Sequence, residues 1–279
     1  MRITIIGYGF VGKALGNALT KHVELQKIDP KLNTSTKDIQ RFKPEIIFIC
    51  VPTPMDQDGG QDISILKQTI SEIKSFKINT LVVVKSTILP IHVAEIENEI
   101  PSFVYNPEFL REKHANEDFI NSKMIIFGGK KESCLKLSDF YKNFLICKSN
   151  EHTFTDPISA SFVKYMVNSF LATKVIFFNE FYKLFETSDA KEDWISFIKI
   201  LTKDDRLGSS HMDVPGHDGR LGFGGACFPK DSNAILKYAN SLNTELSVLS
   251  AAIKTNNKIR ASYGENTDRE DEQNIFFNN

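Results

Sequence analysis

The sequence lacks most of what marks a chain for an unusual environment. Its 34 basic and 35 acidic residues leave a net charge of −1, so no field draws it to nucleic acid or to an anionic membrane. No apolar run approaches the ~18 residues of a membrane span. The chain opens on the strand-like RITIIG rather than on a charged segment, an apolar stretch and a cleavage site, and a cytoplasmic protein is expected. Only four cysteines occur, Cys50, Cys134, Cys147 and Cys227. They have no CxxC spacing and no nearby histidine pair, so no metal site is expected. Glycine is missing between Gly129 and Gly208, and proline between Pro157 and Pro215. That gap excludes a turn-rich architecture there and predicts a helical second half.

What is present is a rhythm. The runs RITII, VELQKI, EIIFICV, TLVVV, SFVY and MIIFGG alternate with mixed polar segments, the pattern of a parallel sheet with helical crossovers. The fold class is therefore α/β, a Rossmann-like, doubly wound, mostly parallel sheet over residues 1–152, followed by an all-helical domain over 153–262. From Ile158 to Phe185, apolar residues at Phe162, Met166, Ser169 or Phe170, Thr173, Phe177, Phe181 and Leu184 recur every three or four positions. This spacing predicts one long helix, with Asp156 as its cap and Pro157 in its first turn. Further helices are expected near 231–240 and 245–260. Residues 263–279 are charged and nonperiodic, and read as a disordered tail.

At the amino terminus, RITIIGYGFVGKALGNAL is a strand running through Gly7-x-Gly9-x-x-Gly12 into a helix. In that context the glycines allow a tight turn, close approach of a pyrophosphate and helix–strand packing. Asp29, twenty residues after Gly9, is placed to accept from a ribose diol and favours NAD over NADP. CVPTP and KSTILP end the third and fourth runs and face the same crevice. Thr53, Ser86 and Thr87 are candidates to donate to phosphate, nicotinamide or water, or to cap the helices that follow. NPEFLRE places Glu108 and Glu112 four apart, on one face if the segment is helical. That spacing suits paired carboxylates and equally a solvated helix face.

In the second half, Lys164 and Asn168 are four apart and off the apolar stripe, as a site pair or as solvent-facing decoration. GFGGACFPKD surrounds Cys227 with glycines, a lysine and an aspartate. A nucleophilic thiol, a cation for an oxyanion and an acid for water make a coherent set. Read from its neighbours alone, Cys227 fits a nucleophile and a buried filler equally.

Taken together and in order, GYGFVG, CVPTP, KST, NPEFLRE, KYMVN with FFNE, DDRLG, GFGGACFPKD and AAIKTNNKIR resemble the UDP-glucose/GDP-mannose dehydrogenase family over residues 1–260, leaning to the UDP-glucose branch. The resemblance implies a four-electron oxidation of a nucleotide-sugar alcohol to a carboxylate with two NAD, through a thiohemiacetal and a thioester on Cys227. It implies Lys164 as the oxyanion-stabilising cation, Asn168 as its hydrogen-bonding companion and Asp231 in proton handling. Glu112, Thr87 and Glu108 would serve the hydrolytic water. The cofactor would be held by Gly7, Gly9, Phe10, Val11, Gly12, Asp29, Val51, Pro52, Thr53, Ser86, Thr87, Glu112 and Lys230. Glu108, Phe109, Leu110, Lys164, Asn168, Arg206, Phe223, Gly224 and Cys227 would meet the nucleotide sugar, Arg206 by reaching a neighbouring subunit. The helical domain would form a homodimer. The family's second Rossmann-like domain is not expected from this sequence, which leaves binding of the uridine end open. Two other readings are a half-enzyme or non-catalytic subunit that needs a partner domain, and a two-electron dehydrogenase of the 3-hydroxyacid type, for which Cys227 would be dispensable.

Overall fold

A computed structural model describes residues 1–277; Asn278 and Asn279, the end of the expected tail, lie outside the described residues. The strands are β1 (Arg2–Ile6), β2 (Glu24–Ile28), β3 (Ile46–Ile49), β4 (Leu81–Val84), β5 (Phe103–Tyr105), β6 (Ile126–Gly129) and β7 (Thr153–Thr155). The helices are α1 (Phe10–Asn17), α2 (Ile39–Phe42), α3 (Ser64–Ser75), α4 (Pro90–Glu99), α5 (Ala115–Asn121), α6 (Lys131–Phe144), α7 (Pro157–Glu186), α8 (Trp194–Leu201), α9 (Phe228–Ser241), α10 (Ser247–Ala261) and α11 (Asp268–Asp271). Two compact units result: Met1–Thr53 with Asp62–Lys164, and Pro54–Gln61 with Tyr165 to the end of the described chain. The division between these units falls inside α7.

In the first unit all six apolar runs form strands of one sheet, ordered β2-β1-β3-β4-β5-β6-β7. Pairing is parallel except between β5 and β6. Every residue of β3 and β4 is buried because both sheet faces are covered. Side chains alternate: Ile47, Ile49, Val82 and Val84 pack toward α3 and α4, while Ile46, Phe48, Leu81 and Val83 pack toward α1, α5 and α6. Strand order reverses between β1 and β3, so the loops that leave those two strands flank the crevice where doubly wound sheets bind ligands.

The long helix runs unbroken over Pro157–Glu186. Asp156 Oδ1 accepts from Ser159 N at 2.8 Å and caps it, with Pro157 in the first turn as expected. Its apolar stripe is exposed, however: Met166 is 71% and Phe170 65% accessible, and Phe162, Phe177, Phe181 and Leu184 are exposed too. The buried row is Ala160, Lys164, Asn168, Ala172 and Ile176, spaced by four along one helix face. Lys164 and Asn168 are thus interior groups and not solvent-facing decoration.

In the second unit, Trp194 of α8 packs among Phe178, Tyr182, Phe185 and Phe197. Residues 263–277, expected to be a disordered tail, form an ordered strap. Thr267 and Glu270 make a reciprocal capping box around α11, Ile275 and Glu270 are buried, and Gln273 O accepts from Met55 N at 3.0 Å. No helix among the described residues is long and apolar enough to cross a membrane.

Candidate active site

In the first unit, each glycine of the β1–α1 turn has its own reason. Gly7 adopts φ +85°, and a Cβ there would meet Cys50 O at 2.5 Å. A Cβ on Gly12 would collide with Gly7 O and crowd Ile5 at 3.1 Å, so α1 can lie against β1 only with glycine there. A Cβ on Gly9 would meet nothing within 4 Å, which leaves open space at the amino end of α1. First-turn N–H groups lack intrahelical acceptors and favour an anion; Phe10 and Val11 begin that turn. Asp29 is held against the same turn, its Oδ2 accepting from Tyr8 N at 2.7 Å and its Oδ1 from Lys31 N at 2.8 Å. An unobstructed helix start with a carboxylate fixed beside it fits a dinucleotide.

Neither Thr53 nor Ser86 caps a helix. Thr53 Oγ1 donates to Thr87 O at 2.8 Å and Ser86 Oγ to Val51 O at 2.7 Å. The two hydroxyls staple the loops after β3 and β4 to each other, which leaves their oxygens as acceptors and Pro52 at the surface. Beneath them lies a buried network that sequence reasoning missed. Lys85 Nζ donates to Asn106 Oδ1 at 2.9 Å, and Tyr141 OH donates to the same oxygen at 2.6 Å. Burial lowers the Lys85 pKa. Burial also pushes the half-buried Cys50 thiol up to about 12, against the opposing pull of Lys85, and raises Cys134 and Cys147 to about 11.

Residues 106–111 are not helical, so Glu108 and Glu112 do not share a helix face. Glu108 is buried. Its Oε2 accepts from Leu110 N at 2.6 Å and its Oε1 from Lys164 Nζ at 3.2 Å, with Lys164 also 5.4 Å from the Phe109 ring centre. Glu112 starts a 3-10 turn and is exposed, while Arg111 before it pairs with Asp118.

In the second unit, Cys227 is half-buried and immediately precedes α9, at the end of a helix dipole that favours negative charge. One turn into that helix Asp231 is buried with both oxygens engaged: Oδ2 by Asn168 Nδ2 at 2.6 Å, Oδ1 by Lys230 Nζ at 2.5 Å. Lys230 is therefore an interior partner of Asp231. The loop before the thiol rests on polar side chains. Gly222 N donates to Asn179 Oδ1 at 2.9 Å, Phe223 N to Asn256 Oδ1 at 2.7 Å, and Gly225 N to Glu270 Oε1 at 3.2 Å. A Cβ on Gly224 would strike Glu270 and Arg260. Arg206 is exposed and gripped by Asp204, on a loop whose carbonyls at Leu207, Gly208 and Ser210 receive Lys174 Nζ.

Two family models match the chain: the NAD binding domain of the UDP-glucose/GDP-mannose dehydrogenase family over residues 17–145, and its central domain over residues 158–258. The chain belongs to the UDP-glucose/GDP-mannose dehydrogenase family. A UDP-glucose 6-dehydrogenase of Rickettsia bellii is 35% identical over 92% of this chain and 67% of its own length. One of Bacillus subtilis is 30% identical over 94% and 67%. The solved UDP-glucose dehydrogenase of Pyrobaculum islandicum superposes with a TM-score of 0.77 at 27% identity, covering 92% of this chain and 68% of that one. The chain thus spans about two-thirds of these family members.

Among the described residues, this family member joins Lys164 to Glu108 in one unit, and Asn168, Lys230 and Asp231 in the other. Glu112 and Arg206 are exposed. Sequence reading missed Lys85, Asn106, Asn179, Asn256, Arg260 and Glu270 as supports. Asn179, Asn256 and Arg260 lie inside FFNE and AAIKTNNKIR, so those motifs were the available signal. For Glu270 it was the Thr-x-x-Glu spacing of a capping box.

Proposed function

We propose that this protein is a nucleotide-sugar 6-dehydrogenase that oxidises UDP-glucose to UDP-glucuronate through covalent catalysis by Cys227. This reading rests on Cys227 at the head of α9, one turn before the buried Asp231 that joins Asn168 and Lys230. NAD, when bound, supplies the acceptor for one hydride from C6 in each of two oxidations. The open space at Gly9, the helix start at Phe10 and the fixed carboxylate of Asp29 would hold its pyrophosphate and ribose.

The chain's own residues do the rest. After the first oxidation the Cys227 sulfur bonds to the aldehyde carbon, and the carbonyl oxygen takes a proton to give a thiohemiacetal. Loss of that proton accompanies the second oxidation and leaves a thioester. Water then adds to its carbonyl carbon, the C–S bond breaks, and the carboxylate leaves with the thiolate restored. Lys164 supplies positive charge for the oxygen at each stage, with Glu108 as its buried counter-ion and candidate acceptor of the water proton. Asn168 offers a hydrogen bond whose direction Asp231 fixes. The assay is stoichiometry: two NADH per UDP-glucose consumed are expected, and one NADH with a released aldehyde or ketone would refute the reading.

The exposed row Met166, Phe170, Phe177, Phe181 and Leu184 is an apolar face larger than isolated surface residues account for. We read it as the homodimer face of α7, with Arg206 available to the neighbouring subunit's substrate. Phe170→Glu with Phe177→Glu should convert a sedimenting dimer to monomer, and an unchanged sedimentation coefficient would count against this assignment.

A further inference from the structure

The loop that carries Cys227 cannot hold its own shape. Gly222 and Gly225 have φ of +77° and +75°, and glycine loses more freedom on ordering than any other residue. The loop's shape must be imposed by neighbours, and of the three side chains that grip its amides the one acting closest to the thiol is Glu270 of the strap, whose Oε1 receives Gly225 N two residues before Cys227. Glu270 is fully buried. The same oxygen receives Arg260 Nη2 at 2.6 Å, and its Oε2 receives Thr267 N at 2.8 Å. Arg260 in turn sends Nη1 to Asp218 Oδ2 at 2.7 Å, on the approach to the glycines. Its guanidinium carbon lies 5.8 Å from the Tyr263 ring centre and 5.6 Å from that of Phe277.

Resting on the proposed thiol chemistry, we infer that Glu270 is a positioning residue for Cys227: the strap 263–277 clamps the glycine loop through Glu270 and Arg260 and so sets where the sulfur sits. The carboxylate has two jobs that separate by substitution. Its charge neutralises Arg260, and its reach captures the Gly225 N–H. Glutamine keeps the reach without the charge; aspartate keeps the charge on a stem about 1.5 Å shorter; alanine removes both.

The experiment uses the full chain. Three readouts are taken: native-state amide exchange at Gly225, the rate at which iodoacetamide labels Cys227 (read from the peptide mass), and kcat with KM for NAD. In Glu270→Asp and Glu270→Ala, Gly225 exchange and Cys227 labelling should each rise at least about tenfold, the scale of one lost charge-assisted hydrogen bond. Turnover should fall with KM for NAD unchanged. Glu270→Gln should stay within a few-fold of wild type in exchange and labelling. A merely structural role would lower melting temperature without moving labelling or exchange in the folded variants. A folded Asp or Ala variant with wild-type Gly225 exchange and Cys227 labelling overturns the proposal. So does a wild-type Gly225 amide that exchanges like an unprotected glycine, a result that needs no variant. If wild type fails to turn over UDP-glucose, the dehydrogenase reading falls, while exchange and labelling still decide the clamp.

Discussion

Asn168 of α7 and Asp231 of α9 meet through a 2.6 Å hydrogen bond, both residues buried, with Lys230 on the other carboxylate oxygen. The amide therefore has a fixed direction: its NH2 is spent on Asp231 and its oxygen points elsewhere. Asn168→Asp would set two carboxyls at that distance, and they cannot both ionise. Their shared proton would be held in the folded state to a pH above the usual carboxylate range and released near pH 4 on unfolding. A raised folded value stabilises at low pH and is lost as pH rises. Urea midpoints should show Asn168→Asp close to wild type near pH 4 and well below it at pH 7.5. A deficit independent of pH would contradict this.

The glycines of the first turn separate binding from folding. Gly9→Ala places its methyl in open space, so the melting temperature should stay put while NAD affinity drops about tenfold or more as the pyrophosphate loses its close approach. Gly12→Ala drives a methyl into Gly7 O and should cost about 1–3 kcal/mol of stability, the usual penalty for overpacking. Calorimetric NAD titration and urea unfolding on the two variants check the contrast.

Lys164 and Glu108 form a buried ion pair at 3.2 Å. Such pairs add little net stability, yet removal of one partner strands the other. Lys164→Met should therefore destabilise by about 3–5 kcal/mol, and Lys164→Met combined with Glu108→Gln by less. Urea unfolding reads both; a double variant worse than the single would argue that the pair is not what matters.

Cys50, raised to about 12, and Cys134 and Cys147, raised to about 11, stay protonated at pH 8 in the folded protein, and the thiolate is the reactive form. Iodoacetamide at pH 8 should label Cys227 first in the native state and all four cysteines in urea. The stability that Cys50 contributes by keeping its proton is complete below its ordinary 9.0 and is lost as pH rises toward 12. Wild type should accordingly lose stability against Cys50→Ala over that range.

Strands were legible where burial on both sides left unbroken apolar runs, as in Ile46–Ile49. The edge strand Thr153–Thr155, short and polar, carried no such signal. Helix α7 was legible in length from its apolar period, but that period did not mark its buried face, which runs through Ala160, Lys164, Asn168, Ala172 and Ile176. A pattern reading that equates apolar with inside cannot see a face that is left for another surface. The carboxylates of NPEFLRE looked helical by spacing, but β5 ends at Tyr105 and the chain turns Glu108 inward to Lys164. In the strap, charge count hid a capping box and the one buried glutamate that the cysteine loop rests on.

The most direct test of the account is the mass of the Cys227 peptide after wild-type protein is quenched in acid during turnover with UDP-glucose and NAD. A mass increase on Cys227 equal to the acyl group of UDP-glucuronate is predicted, absent in Cys227→Ser, whose kcat should fall by about a thousandfold or more. An unmodified Cys227 with full activity retained in Cys227→Ser would contradict the central claim.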